Sequence, residues 1–149
     1  MDMQQIKPKF LAYFKDVCLE TSKLSTCISK QVGAVLVRDN RIVAIGYNGV
    51  AKGEKHCNEI FDTTFDRDEH SAWSKHHEYH AEENLLLFCL REGISTKDCL
   101  LFVSLSPCIN CAKLIANSGI EKVYYIEEYD RDKTGLKFLE EHNISIVQI

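Results

Sequence analysis

Two short runs in the 149-residue chain carry the residue types of a metal site: His80-Ala81-Glu82 and Pro107-Cys108-Ile109-Asn110-Cys111. Cysteines three apart in the first turn of a helix share one face, and the positive end of the helix dipole favours their thiolate forms. A histidine brought to the same edge makes a third ligand for a tetrahedral zinc, with two thiolates and a neutral imidazole balancing its charge. The fourth position is then left to water, which is the arrangement of a catalytic site. Glu82 lies two residues beyond His80, points elsewhere on its helix and need not ligate. A carboxylate there can take a proton from zinc-activated water and deliver it to a ring nitrogen and a leaving amine. Each run alone has other readings, since Cys-x-x-Cys also serves redox sites and structural zinc. Together, each at a helix start, they favour hydrolytic metal chemistry.

The elements that must position these residues are legible as period changes. Phe10, Leu11, Phe14, Val17 and Cys18 recur at helical spacing from Pro8 to about Ser25. Val32 to Val37 and Ile42 to Ile45 are β-branched runs around the turn-forming Arg38-Asp39-Asn40-Arg41, and read as a hairpin. A polar stretch of about thirty residues follows, reaching Tyr79 without a sustained period until its last part, and loops of that length are usually functional or tied down. His80 to Leu90 reads as a helix closed by Gly93, and Cys99 to Leu105 as a buried strand. Ser106-Pro107 is an N-cap with proline behind it, opening a helix that ends at Gly119. Val123 to Ile126, Thr134 to His142 and Ile144 to Ile149 read as strand, helix and strand. The expected fold class is α/β, a single domain with a five-stranded mixed sheet between helices, its second half joined by right-handed crossovers. If the strands before the two motif helices lie side by side, both helix starts converge at one edge.

Composition narrows the partners. With 45% apolar and 27% charged residues the chain is ordinary globular protein. No run has the roughly 18 apolar residues of a membrane helix, and Met-Asp-Met-Gln-Gln-Ile-Lys lacks the build of a signal peptide. A soluble, cytoplasmic protein with no membrane partner is expected. Eighteen basic against 22 acidic residues give a net charge of −4 without a Lys/Arg cluster, which disfavours nucleic acid as a partner. Lys30, Lys52 and Arg131 are scattered, so no phosphate site stands out. Seven cysteines, an odd number, argue against a disulfide framework and for metal.

The two runs together match the histidine-x-glutamate and proline-cysteine-x-x-cysteine signature of zinc nucleobase deaminases. From about Cys27 onward the chain resembles the deoxycytidylate deaminases of the cytidine-deaminase family, those of bacteriophages and of cells alike. Val32-Gly33-Ala34-Val35, Gly46-Tyr47-Asn48-Gly49, His80-Ala81-Glu82-Glu83-Asn84, Leu105-Ser106-Pro107-Cys108, Cys111-Ala112-Lys113 and Glu128-Tyr129-Asp130 carry the likeness. It implies a cytidine-deaminase-like three-layer α/β/α fold and hydrolysis of dCMP to dUMP and ammonia, supplying thymidylate synthesis. His80, Cys108 and Cys111 would hold the catalytic zinc, with Glu82 protonating N3 of cytosine and then the departing amine. Asn48 and Tyr129 would contact the substrate. A hexamer activated by dCTP and inhibited by dTTP is also implied, with Mg²⁺ accompanying the nucleotide effector. Gly46, Tyr47, Gly49, Phe88 and Arg91 would then face an effector or a neighbouring subunit, and the likeness leaves Asn48 open between substrate and effector. A phage protein acting in the host cytoplasm fits this reading. The competing readings are a deaminase of nucleic acid, such as a transfer-RNA adenosine deaminase, and a non-enzymatic zinc module; acidic charge counts against the first, and Glu82 beside an open coordination position against the second.

A second zinc is expected in the polar stretch, which lacks the apolar content to order itself. It contains His56, Cys57, His70, His76, His77 and Glu78, with Cys27 just ahead of the first strand. The resemblance selects Cys27, Cys57, His70 and Glu78 as a structural-zinc set. The alternative is that the two cysteines are buried small hydrophobes and the histidines solvated.

Overall fold

The computed structural model describes residues 5–149. Residues 1–4, the beginning of the segment read for a leader, lie outside the described residues. β1 (Gly33–Arg38) and β2 (Arg41–Tyr47) pair antiparallel through Asp39 and Asn40, both at positive φ (53° and 58°), the two-residue turn whose twist suits a hairpin. β5 (Leu100–Leu105) lies antiparallel to the other edge of β1, and β6 (Lys122–Glu127) and β7 (Ser145–Gln148) add in parallel, giving the order β2-β1-β5-β6-β7. The five-stranded mixed sheet is as expected.

Alternation along the central strands sorts two cores. Val35, Val37, Phe102 and Tyr124 face α1 (Pro8–Ser22), where Phe14 and Cys18 are buried. Ala34, Leu36, Leu101, Val103 and Val123 face the opposite layer of α4 (Ala81–Glu92), α5 (Ile109–Ala116) and α6 (Thr134–Glu141), meeting Leu85, Cys89, Ala112, Ile115 and Leu139. The molecule is therefore α/β/α. Among the described residues no helix is long and apolar enough to cross a membrane.

Several expectations need correction. α1 stops at Ser22 rather than near Ser25, because the Ser25 hydroxyl leaves the helix to donate to the Asn48 carbonyl at 2.9 Å. α5 spans Ile109–Ala116, not 106–119; its N-cap is Cys108, and Ser106 spends its hydroxyl oxygen on the Tyr129 N–H at 2.7 Å. The polar stretch is more regular than its periodicity suggests, holding α2 (Cys57–Ile60), α3 (Arg67–His77) and a two-stranded pair of β3 (Gly49–Val50) with β4 (Glu78–Tyr79). α3 buries only His70, so its ends sustain it: Asp66 caps Glu69 N–H at 2.9 Å, Asp68 and Glu69 lie in the first turn, and Lys75, His76 and His77 in the last. The strands ahead of α4 and α5 are not neighbours in one sheet, since β4 belongs to the small pair and β1 separates β2 from β5.

Convergence of the helix starts rests on close packing at Gly46. A Cβ there would lie 2.5 Å from the Ala81 carbonyl oxygen and 2.8 Å from both the Leu85 nitrogen and Cβ, so β2 and the first turns of α4 approach to a distance only glycine permits. Gly46→Ala is expected to push α4 outward and destabilise the fold by about 1–3 kcal/mol, the usual cost of overpacking, as a lowered urea midpoint at unchanged slope.

Candidate metal centre and active site

His80 is the N-cap of α4 and Cys108 the N-cap of α5, both with extended backbone, so each side chain leaves its helix at the N-terminal end. Cys111 follows one turn into α5. The His80 Nδ1 lies 3.5 Å from Cys108 Sγ and 3.4 Å from Cys111 Sγ. Tetrahedral zinc with ordinary bond lengths sets nitrogen and sulfur about 3.6 Å apart, so the three donors fit one ion without rearrangement. Cys108 is half-buried and Cys111 fully buried, leaving one side open.

The electrostatics of the trio suit a cation. Cys108 is pushed down to about 4, chiefly because it accepts the Cys111 thiol proton and next because it accepts from His80. Cys111, the donor, is pushed up, first by that bond and then by burial. His80 is raised to about 9 by its bond to Cys108. The proton that Cys111 keeps in the absence of a metal is one a divalent ion would displace, since thiolate ligation releases protons. Glu82 is 4% exposed, on the first turn of α4, and burial pushes its carboxyl up to about 7. It is thus a carboxylate able to hold or release a proton near neutrality, beside the donors and outside the group they form.

A second group gathers where the polar stretch folds back. Cys57 Sγ lies 3.3 Å from His70 Nε2, Cys27 Sγ 3.7 Å from the same nitrogen and 3.5 Å from Glu78 Oε1, and that oxygen is 3.7 Å from His70 Nε2. These are again the separations of a four-ligand tetrahedron. Burial raises the Cys27 thiol to about 12 and raises Cys57 as well, and Glu78 Oε2 is buried with no hydrogen-bond partner. A buried carboxylate left so is costly unless a cation compensates it, so the donor set fits a metal. The imidazole of His70 sits in an aromatic sleeve, with Phe61 and Phe65 edge-on at 5.2 and 5.3 Å and Trp73 at 6.1 Å, while Trp73 stacks on His77 at 5.4 Å. His56 and His76 join neither group.

The other expected residues are placed less centrally. Asn48 accepts from Val32 N–H and donates to the Lys30 carbonyl, both at 2.8 Å, and so braces the loop that carries Cys27. One amide hydrogen and one lone pair of Asn48 remain for a ligand. Tyr129 is half-buried and tied through its backbone to Ser106. Gly46 is buried under α4, Gly49 pairs with Tyr79, and the exposed Tyr47 offers its carbonyl to Asn84 at 2.8 Å. Phe88 and Arg91 lie on the outer face of α4, the guanidinium 5.5 Å from the ring centre and also bonded to Glu92 at 2.8 Å. Lys30 pairs with Glu127 at 2.8 Å.

Residue-type reasoning passes over the groups that cap the two helix starts. Glu83 reaches back to the His80 N–H at 2.9 Å, and Asp132 Oδ2 accepts the Ile109 N–H at 2.8 Å from a loop 23 residues away. Glu83 was findable as the third helical residue of a capping box. Asp132 signals locally only its bond to Thr134; its bond to Ile109 has no local signal, because that partner is distant in the chain.

A family model described as the cytidine and deoxycytidylate deaminase zinc-binding region matches residues 8–127. The chain is 36% identical over 146 residues to the deoxycytidylate deaminase of Enterobacteria phage T4, covering 76% of each. It is 32% identical over 154 residues to that of Schizosaccharomyces pombe, covering 99% of this chain and 46% of the yeast protein. The crystal structure of the dCMP deaminase from cyanophage S-TIM5 in complex with dCMP and dUMP superposes with a TM-score of 0.83 at 29% identity, over 97% of this chain and 100% of that one. The matched span holds both helix starts, the three clustered donors and the buried carboxylate, and on that extent the chain belongs to the cytidine and deoxycytidylate deaminase family.

Proposed function

We propose that the protein hydrolyses dCMP to dUMP and ammonia, a reaction that supplies dUMP for thymidylate synthesis. The carrying observation is the buried Glu82 carboxyl, raised toward neutrality, beside three donors spaced for one tetrahedral ion. A zinc ion on His80, Cys108 and Cys111 supplies, when bound, a water of lowered pKa at an open position. Glu82 accepts a proton from the attacking water and gives it to N3 of the cytosine, which makes C4 more electrophilic. The same carboxyl then carries a proton to the 4-amino nitrogen, which departs as ammonia. Its burial matters because a carboxyl near its midpoint at neutral pH serves both as base and as acid. Asn48 and Tyr129 are proposed to contact the nucleotide, as the family resemblance implies.

We further propose that Cys27, Cys57, His70 and Glu78 hold a structural zinc. Glu78 stands two residues before His80, so this ion pins the chain entering α4 and couples the order of residues 51–79 to the active site. A homo-oligomer, in the family manner a hexamer, is supported by the exposed Leu87, Phe88 and Leu90 on α4 and Leu114 on α5, apolar groups too numerous on one layer for solvent alone. Regulation by dCTP and dTTP with Mg²⁺ belongs to the same reading.

Ammonia release from dCMP, cytidine, dCTP and a tRNA anticodon stem-loop tests the activity: turnover of dCMP above all others is expected, and preference for the stem-loop would reverse the substrate assignment. Glu82→Gln should retain the fold and metal content while losing about 10²- to 10⁴-fold in kcat. Near-normal turnover by that variant would refute the proton-transfer role. Metal analysis should find about two zinc ions per chain. Cys57→Ala should lose one and expose residues 51–79 to protease, whereas one zinc per wild-type chain in unchelated protein would remove the structural site.

A further inference from the structure

The turn that carries Cys108 is held from outside its own helix. Its contacts come from the last residue of β6 and from the segment that follows. Ser106 N–H donates to the Glu127 carbonyl at 2.8 Å and Ser106 Oγ accepts the Tyr129 N–H at 2.7 Å. Asp132 Oδ2 accepts the Ile109 N–H at 2.8 Å, while its other oxygen, Oδ1, accepts the Thr134 N–H at 3.0 Å and the Thr134 hydroxyl. At Gly135 a Cβ would sit 2.0 Å from the Pro107 carbonyl oxygen and 2.9 Å from the Cys108 carbonyl carbon, so the first turn of α6 lies directly against the Pro107-Cys108 peptide.

Cys108 occupies the N-cap of α5 with its sulfur directed to His80, and its side chain makes no cap bond to its own helix. The N–H groups of a first helical turn have no partners within the helix, and an unmet donor there would loosen the backbone that aims the sulfur. Asp132 takes up the first of them. It is held below the usual carboxylate range, first by the Thr134 hydroxyl and then by Ile109, so it stays ionised as an acceptor through the physiological range.

We infer that Asp132 is a positioning residue for the Cys108 ligand, joining the start of α5 to the start of α6 through its two carboxylate oxygens and registering the Tyr129 loop against the same turn. This rests on the zinc site proposed above. Both oxygens of Asp132 accept, so an amide in its place can satisfy one helix start and not the other. Thr134→Val removes the hydroxyl only and leaves the bond to Ile109.

The test follows zinc transfer from the holoenzyme to an excess of a chromogenic chelator, alongside activity and thermal unfolding, for wild type, Asp132→Asn and Thr134→Val. For Asp132→Asn, the zinc whose departure abolishes activity should leave about 10-fold faster, the lower end of what outer partners of a metal ligand usually contribute. Any other zinc should leave at the wild-type rate and the Tm should stay within a few degrees. Thr134→Val should release zinc as wild type does. Release unchanged in Asp132→Asn, release of all zinc in step with a fallen Tm, or a variant that does not fold would each make Asp132 an ordinary structural cap and overturn the inference. A wild-type protein that keeps full activity after its zinc is removed would overturn the functional reading itself, a result separate from any of these.

Discussion

Two helices begin at residues that are wanted elsewhere. At most helix starts the cap residue turns its side chain back onto the first free N–H groups. At α4 and α5 the cap positions are His80 and Cys108, whose side chains point at one another. The task of satisfying the helix ends therefore passes to other groups, Glu83 for α4 and Asp132 for α5. Much of the remaining architecture serves that exchange. β2 comes close enough to fix α4 only because position 46 lacks a side chain, and α6 comes close enough to fix α5 only because position 135 does. A fold can bring two helix dipoles to one point for chemistry, and here it does so by handing their caps to the neighbouring chain.

How far this was legible depends on how local each signal is. The hairpin could be read from Asp39-Asn40 between β-branched runs, and α4 from its apolar spacing and the left-handed Gly93 that ends it. His80, Cys108 and Cys111 stand together as their types suggest, because their positions are set by helix starts a few residues long. The beginning of α5 was misplaced since Ser106-Pro107 has the form of a cap, and nothing nearby reveals that the serine hydroxyl is taken by Tyr129 from across the sheet edge. α3, in the last part of the polar stretch, was only faintly marked, for a different reason. Its sequence is nearly all polar, and the one residue it buries, His70, faces sulfur and carboxylate in place of a hydrocarbon core, so its hydrophobic period is faint. The family resemblance names Cys27, Cys57, His70 and Glu78, which the fold brings to within one another's reach.

The two donor groups differ in a manner that follows from their surroundings. Around His80 one sulfur is half-buried and the other fully buried, and a buried acid stands by, which is the arrangement of a site that exchanges small molecules and protons. Around His70 the donor side chains are buried, aromatic rings pack on the imidazole and one carboxylate oxygen has no protein partner. Such surroundings suit a closed four-ligand ion whose contribution is to order a segment too polar to order itself.

The aromatic sleeve of His70 contains the chain's single tryptophan. Trp73 sits on α3 between His70 and His77, so the protein's indole fluorescence arises wholly from the polar segment. An imidazole stacked on an indole is an efficient electron acceptor when charged, and brightness would fall or rise with the state of that small neighbourhood. The emission of this protein is thereby a local gauge of the region that introduces α4.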